Sequence, residues 1–116
     1  MSLPLVDDGG MLRRDPVLAE IVRRLREVLQ PDRIYLFGSR ARGDASADSD
    51  YDLMVVVRDD MPVPMRRPGI AYKALRGTGA AADILVWTRG AFQSRLSLRA
   101  SLPTTVVEEG MLLYES

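Results

Sequence analysis

The run Tyr51-Asp52-Leu53-Met54-Val55-Val56-Val57 constrains the fold of this chain more than any other segment. Seven residues, apolar except for one acid and rich in β-branched side chains, read as a strand buried within a sheet. Side chains alternate along a strand, so Asp50 and Asp52 share a face with Met54 and Val56, with Cα atoms about 6.5–7 Å apart. Two carboxylates therefore stand at the rim of a buried sheet, where they repel each other unless a cation sits between them.

The rest of the chain supplies partners for that strand. Arg33 to Phe37 and Asp83 to Trp87 read as further buried strands, and Met111 to Tyr114 as a short terminal one. Asp15-Pro16 is a helix start, a capping oxygen followed by proline at the first helical position. Val17, Ile21, Leu25 and Val28 or Leu29 then recur at helical spacing until Gln30, before Pro31. Gly69 to Arg76 is helix-compatible, Thr88 caps a helix to about Leu96, and Pro103 opens one through Glu109. Ser39 to Ser49 is polar, and Asp59 to Pro68, with three prolines, is a loop. The order predicts one α/β (α+β) domain, a small mixed β-sheet flanked by helices, over residues 16–116. Residues 1–15 are expected to be a flexible N-terminal lead-in.

Composition narrows the chemistry. The 116 residues include no cysteine and no histidine. That excludes disulfides, thiolate nucleophiles, imidazole bases and the usual zinc ligands. Carboxylates, hydroxyls and backbone amides remain, with arginine as counter-charge, a set suited to Mg²⁺ and phosphate. Sixteen Lys+Arg balance sixteen Asp+Glu. A net charge of zero argues against a protein that coats nucleic acid or an anionic membrane. No apolar run approaches the ~18 residues of a membrane span. With no signal-peptide pattern at the start, the expected location is cytoplasmic.

Three features then converge. Gly38-Ser39 closes a strand, where glycine admits a ligand close to the backbone and turn amides bind phosphate oxygens. Asp50 and Asp52 follow, and Asp83 opens the third strand. Taken singly, these are an ordinary turn, a pair of solvated acids and a strand-entry residue. If the second and third strands are neighbours, Asp83 completes a three-carboxylate cluster. That set, without histidine, describes metal-assisted phosphoryl or nucleotidyl transfer.

Gly38-Ser39, ten intervening residues and then Asp50-x-Asp52 resembles the motif of the polymerase-beta-like nucleotidyltransferase superfamily. GSRARGDASADSDYDLMVVV, with DILVW later and the ending EGMLLYE, is similar to its small prokaryotic branch, the minimal nucleotidyltransferases (MNT). The resemblance implies a nucleotidyltransferase fold. It also implies that Gly38 and Ser39 hold the triphosphate of ATP, with Arg40 or Arg42 contacting phosphate. Asp50, Asp52 and Asp83 would be catalytic and would bind one or two Mg²⁺ ions, Asp83 as metal ligand or general base. Family members of this size pair with a HEPN-domain toxin and transfer AMP to its tyrosine, acting as its antitoxin. A chain used up by the catalytic core needs an acceptor surface from another protein or a second copy of itself. Two alternatives stand beside this: transfer to a small-molecule hydroxyl, as in aminoglycoside nucleotidyltransferases, and a non-catalytic toxin-binding antitoxin.

Other residues carry plainer readings. Tyr35, Phe37, Tyr72 and Trp87 read as core or half-buried, and Lys73, Arg13-Arg14 and Arg66-Arg67 as solvated charges. Tyr114 either packs on the sheet or lines the nucleotide pocket.

Overall fold

The computed structural model describes residues 10–46 and 49–116. A one-turn helix, α1 (Met11–Arg14), leads into α2 (Pro16–Leu29), β1 (Arg33–Phe37) and a short α3 (Gly38–Arg42). Next come β2 (Tyr51–Val57), a 3₁₀ turn over Val63–Arg66, α4 (Pro68–Ala74) and β3 (Ala82–Thr88). The chain closes with α5 (Arg89–Arg95), α6 (Leu102–Glu109) and β4 (Met111–Glu115). Of the lead-in expected over residues 1–15, residues 1–9 lie outside the described residues, while Leu12 of α1 is buried in the core.

The four strands lie in the order β3-β2-β1-β4. β1 is antiparallel to both β2 and β4, whereas β2 and β3 run parallel, so the sheet is mixed. The parallel pair needs a crossover, and the segment from Arg58 to Ala81 with α4 provides it.

Alternation along the strands splits the core in two. Tyr51, Leu53, Val55 and Val57 face α1, α2 and α4, beside Ile34, Leu36, Ile84 and Leu113. Met54 and Val56 face the other way, against Tyr35, Phe92 of α5 and Val106 of α6. Tyr35 and Phe92 stack with ring centroids 5.6 Å apart. Both faces of β2 are thus covered, which is why its sequence is apolar nearly throughout.

Helix α2 anchors the first face. The Asp15 carboxylate accepts from the Leu18 N–H at 3.0 Å and caps its start. Leu18, Ile21, Val22, Leu25 and Leu29 form the buried stripe. Val17 and Val28, expected on that stripe, flank it and are 41% and 37% exposed. Burying each stripe residue stabilises by about 1.5–3 kcal/mol. Arg24 reaches from α2 to the Arg76 carbonyl at 2.6 Å, tying α2 to the end of α4. Among the described residues no helix is long and apolar enough to cross a membrane.

Candidate active site

The parallel register sets Asp52 directly opposite Asp83, and the antiparallel register sets Asp52 opposite Phe37, the last residue of β1. Neighbouring strands are about 4.8 Å apart, so the two acids and the β1–α3 turn share one end of the sheet. Asp52 lies on the face of Met54 and Val56, and Asp83 on that of Leu85 and Trp87, the α5–α6 side. Asp50 sits one residue before β2.

Gly38, the first residue after β1, has a φ of +72°. A side chain there pays about 1–2 kcal/mol for left-handed backbone. Space is the harder constraint: a Cβ on Gly38 would overlap the Asp52 Oδ2, with the Asp52 Cγ only 3.1 Å away. The glycine therefore makes room for a carboxylate as well as for a turn. Ser39 and Arg42 follow within α3. The Ser39 hydroxyl forms no hydrogen bond among the described residues.

Burial is the main reason the Asp52 carboxyl is held above the usual carboxylate range. The negative charges of Asp83 and then Asp50 push the same way, and the Arg42 guanidinium opposes them. Among the described residues none of the three acids joins an ion pair. Asp83 is exposed and its Oδ1 accepts a long hydrogen bond, 3.4 Å, from the Tyr72 hydroxyl. No three His, Cys, Asp or Glu side chains among the described residues close around a common metal point. The acids form an open set of oxygen donors on a ledge. Concavities of about 520 and 550 Å³ lie away from them, at the far end of β1 and at the Thr88 end of β3.

The two arginines expected to contact phosphate part company. Arg42 is on the acid side, its charge felt at Asp52, with a loose 3.4 Å contact to Asp44. Arg40 turns to the opposite face. It donates to the Ser49 carbonyl at 2.7 and 3.0 Å, and its guanidinium lies 4.0 Å from the centre of the Tyr51 ring. The Tyr51 hydroxyl donates to Asp15 Oδ2 at 2.7 Å. Burial, then that hydrogen bond, pushes the Tyr51 phenol up to about 12. Asp15, Tyr51 and Arg40 thus brace the start of β2 from behind, leaving the acids on the open side.

The sequence places Tyr72 in the core or half-buried. It is 42% exposed, accepts from the Ile84 N–H at 3.0 Å and touches Asp83. Nothing in the spacing of α4 and β3 announces that contact. Tyr114, left open between two roles, packs beneath Arg26 of α2 at 4.4 Å, at the end of β1 away from the acids.

Known proteins share the family and the fold. Residues 18–109 match the profile of the nucleotidyltransferase domain. A protein of Methanocaldococcus jannaschii assigned as a protein adenylyltransferase is 32% identical over 82 residues, covering 71% of this chain and 77% of its own. A crystal structure of a toxin–antitoxin with AMP-PNP superposes with a TM-score of 0.59 at 26% identity, over 84% of this chain and 73% of that one. A structure of tri-AMPylated Shewanella oneidensis HEPN toxin with its MNT antitoxin shares the fold, with a TM-score of 0.54, 22% identity, and 87% and 71% coverage.

Proposed function

The chain belongs to the nucleotidyltransferase domain family, and we propose that it is a cytoplasmic, Mg²⁺-dependent antitoxin that transfers AMP from ATP to a tyrosine of a HEPN toxin. The observation that carries this reading is the pairing of Asp52 with Asp83 beside a glycine cut to fit the Asp52 carboxylate. The M. jannaschii protein assigned as a protein adenylyltransferase and the toxin–antitoxin structure with AMP-PNP support the nucleotide and the setting.

The donor set fits the ion. Asp50, Asp52 and Asp83 offer only oxygen, and their mutual repulsion is relieved by a divalent cation. Asp50, Asp52 and Asp83 would hold Mg²⁺, which would supply neutralising charge for the acids, the triphosphate and the leaving pyrophosphate. Ser39 and the first amides of the turn hold phosphate oxygens, with Arg42 as counter-charge. The acceptor hydroxyl oxygen forms a bond to the α-phosphorus as the bond to the β-phosphate oxygen breaks, and pyrophosphate leaves. The hydroxyl proton passes to the carboxylate of Asp83, through the oxygen that Tyr72 does not engage. Arg40 serves behind the site, through Ser49 and Tyr51.

The test incubates the protein with α-labelled ATP, Mg²⁺ and a HEPN toxin. Label on a partner tyrosine, lost with Asp50→Ala or Asp52→Ala, is the expected result. Neutralisation that survives both substitutions makes the protein a binding antitoxin. Label only on aminoglycoside-type hydroxyls makes the acceptor a small molecule.

A further inference from the structure

We propose that the free edge of β3 is a docking groove for an extended acidic segment of the acceptor protein. This deepens the reading above and rests on it for what the segment delivers.

β3 ends the sheet, with β2 as its one partner. Within a strand, the N–H and C=O of one residue point to the same side and those of the next to the other. The Ala81 carbonyl accepts from Tyr51 at 3.0 Å, so odd-numbered residues face β2. Even-numbered ones face outward: the Ile84 N–H is met there by the Tyr72 hydroxyl. Val86 is next along the edge, and no turn, loop or cap hydrogen bond reaches it among the described residues. Its N–H and C=O are therefore offered to an incoming strand.

The surroundings name the partner's charge. A groove of about 550 Å³ runs beside Val86 and Trp87, and Arg66, Arg67 and Arg95 line it with no acid among the lining residues. Arg23, Arg24, Arg33 and Arg89 all hold carboxylates elsewhere, but none of the groove's three does so among the described residues. The Arg66 Nε is buried and has no acceptor among the described residues, so no carboxylate among them neutralises that guanidinium there. Val63, 57% exposed, and Trp87 supply apolar contact between the charges. An outward backbone donor and acceptor favour a peptide over a nucleic-acid strand, which has no complementary ladder. Val86 is three residues from Asp83, about 10 Å along the strand, so a segment paired here brings its neighbours to the acid ledge.

The test uses the whole chain without nucleotide and an eight-residue peptide of alternating Glu and Val. Binding is expected, weakening at least tenfold in Arg66→Glu/Arg67→Glu/Arg95→Glu. It is also expected to slow hydrogen exchange at the Val86 amide. A version of the peptide with alternate amides N-methylated should fail to bind the wild type, a control that needs no variant to fold. Equal binding of a Lys–Val peptide, binding of oligothymidylate in place of the acidic peptide, or an unprotected Val86 overturns the proposal. AMP-PNP binding by the charge-reversed variant is read separately and should be unchanged; its loss would mean the groove is part of the nucleotide site and would overturn the docking role.

Discussion

On the solvent face of α2, Glu20 accepts from Arg23 at 2.6 Å and from Arg24 at 2.8 Å, and Glu27 takes the other arm of Arg23 at 2.7 Å. At the open end of β2 and β3, Asp52 and Asp83 stand side by side, with only the loosely placed Arg42 opposing them. The same chemical group is driven in opposite directions. Hydrogen bonds from Arg23 and then Arg24 hold the Glu20 carboxyl down to about 2, while burial and like charges hold Asp52 up. Folding satisfies the first set and leaves the second uncompensated. Acids that the fold itself leaves uncompensated, at the rim of a buried strand, are candidates for a ligand site.

Substitutions probe this contrast at decreasing cost. Gly38→Ala strikes the unsatisfied end hardest, because the methyl group displaces the Asp52 carboxylate. A misplacement near 1 Å is worth roughly 100-fold in rate, so transfer assays should show a loss of that order, with a lower Tm from the left-handed backbone. Asp15→Ala acts on the bracing behind the acids. It removes the cap of α2 and the acceptor of Tyr51 together, and denaturant unfolding should report a loss of about 1–2 kcal/mol.

Alkaline titration separates Tyr51 from the acids. Its folded pKa is raised, so the folded state keeps a proton that the unfolded state releases near 10. Stability should fall as pH rises from about 10 to 12. Tyr51→Phe should flatten that limb of the unfolding curve. The smallest effect belongs to the satisfied set. The folded pKa of Glu20 is lowered, so its contribution is present at neutral pH and is lost as pH falls through about 2. Glu20→Gln should leave activity and neutral stability nearly unchanged and alter only the acid limb of a melting series.

Much of this was legible in the residues. Six apolar positions out of seven mark β2 as central, Asp15-Pro16 and Thr88 mark helix starts by capping chemistry, and alternation places Asp52 on the face of Met54. The parallel pairing of β2 with β3, on which the meeting of Asp52 and Asp83 depends, was legible only as a condition, because strand order is a long-range property. Arg40 and Arg42 look alike in a string. Two residues along α3 are about 200° of helix rotation, which sends them to opposite faces, and the Tyr51 ring decides which is held back. The Tyr72 contact depends on how α4 seats against β3, and the space for Asp52 at Gly38 depends on two strands at once. The one-turn helix around Leu12 is likewise set by the core it joins, and its own sequence is weakly periodic.

The most direct test of the contrast is the melting of wild type and Asp52→Asn, each alone and with Mg²⁺ and AMP-PNP. Removing an uncompensated, partly buried charge should raise the Tm of the free protein by a few degrees. The wild type should gain further stability from the ligand pair, and Asp52→Asn should gain little or none. An Asp52→Asn protein that melts lower than wild type alone, yet is stabilised equally by Mg²⁺ and AMP-PNP, would contradict the account.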